Sequence, residues 1–168
     1  MFRLPNNAIQ KAMLENLKKY LPDLAIYDFV PADAKVPFVT IGNMHTSDDD
    51  AKKLKRYKVD MQINVWSEYR GKYEVNHIAQ QIINVLQTPE TAELDLSADN
   101  FLLESIAITN YEAYPEEQYG YNGVIQTVLV VVDPLENTAS YKTARKKEVQ
   151  EVKEAAEEKA EEKAESEE

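Results

Sequence analysis

The chain has 168 residues, enough for one domain with its own hydrophobic core, and hydrophobic residues make up 43% of it against 29% charged. Its formal charge of -11, from 30 acidic and 19 basic residues, repels nucleic acid at long range and leaves no basic footprint for sequence-specific binding. There is no cysteine, which excludes a disulfide framework, a thiolate metal site and a cysteine nucleophile, and which fits a reducing compartment.

The opening Met1-Phe2-Arg3-Leu4-Pro5-Asn6 lacks the apolar run of a signal peptide. A first helix is expected over 7–20. Asn6 suits its N-cap, Ile9, Ala12, Met13, Leu17, Tyr20 and Leu21 fall on one face, and Pro22 stops it. A short extended piece over 26–30 leads to Pro31, and 37–42 reads as a strand opened by Pro37. A long, polar, charged loop is expected over 43–55. Residues 56–67 then alternate with period two: Tyr57, Val59, Met61, Ile63 and Val65 point one way, and Lys58, Asp60, Gln62 and Asn64 the other. Trp66 interrupts the polar face, so either a local segment or a neighbouring subunit must cover it.

An amphipathic helix is expected over 72–86, where Val75, Ile78, Ala79, Ile82 and Leu86 form its apolar stripe and Thr88-Pro89 ends it. Residues 94–103 read as irregular or as an edge piece. Two strands, 104–114 and 123–133, then form a hairpin joined by 115–122. The last strand is apolar on both faces toward its end, so it should be central or covered on its second face. Its longest apolar run, 128–132, is far too short to cross a bilayer, and no membrane partner is expected. The expected fold is thus α+β: a two-layer sandwich in which a mostly antiparallel four-stranded sheet carries two helices on one face. That domain occupies 1–137. Residues 138–168 form a tail rich in Ala, Glu and Lys, expected to be helical or disordered. From Ser140 on, seven basic residues face ten glutamates, so most of the negative charge belongs to the body.

Side chains that carry chemistry are sparse. Asp48-Asp49-Asp50 has neither the ligand spacing, the turn glycine nor the terminal glutamate of a calcium loop, so a solvated tip is expected and no metal. His45 and His77 are the two histidines, and neither lies in a hydrolase pattern. With four glycines and no phosphate-binding or dinucleotide motif, no cofactor and no catalytic residue are expected. Tyrosine is the informative excess, at ten. Tyr111, Tyr114, Tyr119 and Tyr121 gather around one hairpin connection, where they either pack on the sheet or form a protein interface. No set of Lys or Arg accompanies the rings, which disfavours stacking on bases.

The ordered stretches Tyr27-Asp28-Phe29-Val30-Pro31, Val36-Pro37-Phe38-Val39-Thr40-Ile41-Gly42, the strand ending Asn64-Val65-Trp66-Ser67, the helix from Tyr73 and Tyr121-Asn122-Gly123-Val124-Ile125 are similar to one family. Over about residues 8–133 the chain resembles the tail-completion, or tail terminator, proteins of long-tailed bacteriophages and prophages. It departs from their pattern in the acidic loop around Asp48, in 89–100 and in the Glu-rich tail. The resemblance implies a ring, commonly a hexamer, at the end of the tail tube. Such a ring stops polymerisation of the major tail tube protein and presents a surface to the head-closure or connector protein. DNA would pass through the lumen only as cargo. The protein would be assembled in the host bacterial cytoplasm and end in the virion tail or neck. On that reading Trp66, Tyr114, Tyr119 and Tyr121 are the candidate contacts between subunits or partners. His45, Asp48, Asp49, Asp50, Lys52 and Lys53 are the candidate tube-facing or lumen loop. Two other readings are a head-closure or connector component of the neck, and a small hydrolase or ligand-binding protein built on carboxylates gathered in space.

Overall fold

In the computed structural model of the protein, residues 3–50 and 54–135 are described. The tail over 138–168, Lys52 and Lys53 lie outside them. The chain runs α1 (Asn6–Tyr20), β1 (Ala25–Tyr27), β2 (Phe38–Asp48), β3 (Lys55–Ser67), α2 (Tyr73–Gln87), a short 3-10 turn (Ser97–Asp99), β4 (Leu102–Glu116) and β5 (Gly120–Asp133). The strands form a single five-stranded sheet in the order β1-β2-β3-β5-β4. The fold is α+β with two helices and a mostly antiparallel sheet, as expected, but the sheet has five strands where four were expected, and the added parallel pair makes it mixed. The extended piece after α1 supplies the fifth, pairing parallel to β2 through Ala25, Ile26 and Tyr27.

One face of the sheet holds the core. Tyr57, Val59, Met61, Ile63 and Val65 of β3 are all essentially buried, as the period-two alternation requires, and Ile125, Leu129 and Val131 of β5 join them. α1 contributes Ile9, Met13 and Leu17, and α2 contributes Val75, Ile78, Ala79, Ile82 and Leu86 to the same cluster. α2 follows its apolar stripe as read. α1 begins one residue early: Pro5 stands at its cap, and Asn6 instead accepts a hydrogen bond from Thr46 Oγ1 at 2.9 Å, tying the helix to β2. Buried Asn16 donates from Nδ2 to the carbonyl of Thr91 at 2.8 Å and holds the segment after α2 against α1.

The long loop expected over 43–55 is mostly strand. β2 and β3 stay paired as far as Asp48 opposite Tyr57, across a bulge between Ile41 and Met44. The bulge places two residues, Gly42 and Asn43, opposite Gln62 alone, which shifts the alternation and disguises the continuing strand. The backbones approach closely there: a Cβ on Gly42 would lie 2.5 Å from Asn64 Nδ2 and 3.1 Å from the Gln62 carbonyl oxygen. The connection expected over 115–122 likewise shrinks to a turn over 117–119, closed by Gly120 at φ +83.

β5 is central, as its apolar pattern requires, between β3 and β4. On the sheet face turned away from the helices, Val128, Val130 and Val132 are half-buried, and among the described residues no element lies over that face.

Candidate assembly surface

The open face ends in rings. Phe38, Trp66, Asn122 and Tyr114 are successive partners in one row across β2, β3, β5 and β4, so all four share the face away from the helices. The rings of Phe38 and Trp66 lie 6.4 Å apart, and Tyr119, at the turn of the β4–β5 hairpin, meets both edge-on at 5.5 Å. Tyr27 of β1 adds a ring 5.8 Å from Phe38. Trp66 Nε1 donates to Thr40 Oγ1 at 3.0 Å, which fixes the indole while leaving it half-buried. Asn122 Nδ2 donates to the Tyr114 hydroxyl oxygen at 3.1 Å, while the Tyr114 ring stays 42% exposed.

The candidate aromatic residues therefore divide. Trp66, Tyr114 and Tyr119 lie together on the open face, and the cover over Trp66 is a local segment, the Tyr119 turn. Tyr121 pairs with Ser67, one position from Trp66, so it faces the helices and packs half-buried against the core. Tyr111 is also on the helix side, donating its hydroxyl to Asn76 Oδ1 of α2 at 2.7 Å, and burial raises its pKa above the ordinary 10.0. Sequence reasoning missed Phe38 and Tyr27 as members of the aromatic end. The pairing of Phe38 with Trp66 is the signal that unites them, and it depends on the strand register.

The acidic tip lies at the other end of the sheet, where β2 turns into β3. His45 stands in β2 opposite Asp60, with its side chain on the open face. The three aspartates are not bare. Lys55 Nζ reaches Asp48 at 2.6 Å and Asp50 at 3.1 Å, and Arg56 reaches Asp49 at 2.5 Å and Glu104 of β4 at 3.1 Å. Burial alone would lower the pKa of Lys55, but the hydrogen bonds to Asp48 and Asp50 outweigh it and raise it. The hydrogen bond to Asp49 does the same for Arg56. These pairs brace the hairpin tip and offset part of its negative charge.

Two open clefts flank the helices. One, of about 590 Å³, is lined by Lys19, Tyr20, Glu93, Asp95 and Phe101 among others; the second, of about 420 Å³, holds Glu74 and His77. One carboxylate in each is engaged locally. Hydrogen bonds from the side chain and N–H of Ser97 hold Asp95 below the usual carboxylate range, and Glu74 accepts from the Ser67 hydroxyl. His77 stacks on Tyr73 at 6.2 Å. Among the described residues no three of His, Asp and Glu gather to hold a metal. Nor is any helix there long and apolar enough to cross a membrane.

The distinctive features of this small α+β unit are an open sheet face, a ring-lined end and a braced tip. The sequence model of the tail completion protein gp17 family matches residues 8–133, three quarters of the chain, and the chain belongs to that family. It is a structural protein of the phage tail, and its place is the virion tail. Among solved structures, a chain from the virion of a native gene transfer agent particle is 19% identical, with a TM-score of 0.63, covering 79% of this chain and 99% of that one. The gp17 protein of bacteriophage SPP1 is also 19% identical, with a TM-score of 0.47, covering 76% of this chain and 91% of that one. No curated protein matches the chain.

Proposed function

We propose that this chain is a tail terminator: six copies form a ring on the end of the tail tube, end polymerisation of the tube protein and offer the docking surface for the head connector. Membership of the tail completion family supports this reading, and one geometric observation carries it for this chain. The β2–β3 tip and the β4–β5 tip project from opposite ends of a single sheet, so each protomer has two separate contact ends. A terminator needs just that, because it must hold a tube on one side and a connector on the other.

In this assignment the braced tip with His45, Asp48, Asp49 and Asp50 faces the tube or the lumen mouth, and the ring-lined end with Trp66, Tyr114 and Tyr119 makes contacts to subunits or connector. The protein acts by docking, without catalysis, and DNA crosses the ring as cargo. Deleting the gene in the phage tests the proposal. Overlong or headless tails are expected, and virions of normal length and infectivity would overturn it. Pull-down with the tagged protein separates a second position in the neck: recovery of the tube protein supports the terminator, whereas recovery of portal-side proteins alone moves the chain to head closure.

A further inference from the structure

Among the described residues the sheet has two unpaired edges, β1 and β4, at opposite sides of the protomer. Their directions follow from the pairing. β1 runs with β2; β3 runs against β2, β5 against β3, and β4 against β5. β1 and β4 are therefore antiparallel to one another. Two copies set side by side in the same orientation bring β4 of one against β1 of the next as an antiparallel pair, the commoner kind of strand partnership.

We propose that neighbouring copies in the ring join by this β4–β1 pairing, so that their sheets run on as one; the proposal rests on the ring reading above and names its interface. Register favours it. Ala25, Phe38, Trp66, Asn122 and Tyr114 form one row across the whole sheet, and Tyr27, Thr40, Asn64, Val124 and Glu112 form another two residues on. β1 is thus level with residues 112–114 of β4 without any slide along the strands. The two irregularities of β4 lie between Leu103 and Ser105 and between Ile108 and Asn110, which leaves 110–116 regular where β1 would dock. Pro115 has no N–H to offer an edge partner, so the stretch available for docking is 110–114, whose regular edge is a ready template for another chain.

The exposed apolar side chains agree. Phe29, two residues beyond β1, is 86% exposed, and Tyr114 on β4, level with β1, is 42% exposed. Apolar surface thus lies beside both edges, where a second copy would cover it. Because the two edges differ, the contact is head-to-tail, the kind a ring requires, whereas β4 against β4 would stop at a two-fold dimer.

The absence of native cysteine makes a disulfide test clean. Positions 25 and 114 are separated by four strand spacings, about 19 Å, so a bond between cysteines there must join two copies, since a disulfide needs Cα atoms within about 7 Å. Ala25→Cys is combined in turn with Tyr114→Cys, Glu112→Cys and Asn110→Cys, the copies are assembled on tails, and the tails are oxidised with copper phenanthroline. A ladder rising to a covalent ring, with loss of most of the monomer band, is expected for at least one pair and for neither partner alone. A dimer from Tyr114→Cys alone, or no ladder from any pair, overturns the pairing. An amine-reactive cross-linker applied to wild-type tails separates the two claims: oligomers there without a disulfide ladder sink the pairing and leave the ring, and no oligomer sinks both. As a second measurement, Phe29→Asp should leave the melting temperature of the free protein unchanged and cut its incorporation into tails at least tenfold. Unchanged incorporation counts against the interface.

Discussion

Trp66 and Tyr114 stand on the same face of the sheet, yet their environments predict opposite phenotypes. Trp66 is locked between Phe38 and Tyr119 and hydrogen-bonded to Thr40, so its loss is felt first in the stability of its own protomer, whatever contact its exposed edge makes. Trp66→Ala should lower folding stability by about 2–4 kcal/mol, read from urea unfolding. Tyr114 keeps much of its ring in solvent, so Tyr114→Ala should cost about 1 kcal/mol or less in the same experiment while impairing assembly on tails. Equal stability losses in the two variants would remove the distinction. Tyr111 gives a pH signature. Its pKa is raised by burial, so the folded protein holds the phenolic proton more tightly than the unfolded chain does. That contribution is whole below the ordinary 10.0 and drains away as pH climbs through the folded value. The raised Lys55, whose ammonium is held by Asp48 and Asp50, loses stability in the same direction at high pH. Urea midpoints measured from pH 8 to 11.5 should fall in the alkaline limb, and Tyr111→Phe should make that fall shallower; an unaltered slope would contradict the assignment.

At the scale of elements, the legible parts were those whose period the chain keeps. β3 alternates without interruption and α2 repeats its apolar stripe, so both sit where the pattern placed them. β2 was truncated in the reading because the bulge at Gly42 and Asn43 offsets the alternation: Ile41 and Met44 both lie opposite core-facing residues of β3 although three positions separate them. β1 has three residues, too few to show a period, and it becomes a strand only because β2 offers an edge. Which rings the sheet brings together was legible only in part. Trp66 announced itself by breaking a polar face, yet its cover comes from Tyr119, which depends on how tightly the β4–β5 hairpin turns. Tyr121 was grouped with Tyr119 by proximity in sequence; once β5 starts at Gly120, counting by twos places it on the opposite face. The bulge itself is testable. Asn64 and the Gln62 carbonyl leave no room beside Gly42, so Gly42→Val should cost about 1–3 kcal/mol and shift amide resonances along the β2–β3 tip. A variant as stable as wild type, with an unshifted tip, would show that the close approach is not a constraint.

At the scale of the whole molecule, sheet geometry sets the size of the assembly. If six copies join edge to edge, thirty strands about 4.8 Å apart close on a circumference of about 144 Å, a backbone diameter of about 46 Å. Strand tilt widens this further. In such a ring the helices, which already cover one sheet face, would lie outward, and the open face with Gln62, Asn64, Gln126 and the Val128-to-Val132 row would line the lumen. Side chains on that face reach inward about 5 Å from each wall, which leaves an opening of about 36 Å, ample for a duplex to pass. Such a wall would hold DNA weakly, because Lys58 lies 4.0 Å from Asp60 and Arg56 is committed to Asp49 and Glu104. Cryo-electron microscopy of tail ends should therefore show a ring with the sheets inside, the helices outside and a lumen of roughly that width. A ring lined by helices, or one whose sheets are separated by gaps at β1 and β4, would refute the continuous wall, because its diameter is fixed only if every edge is paired.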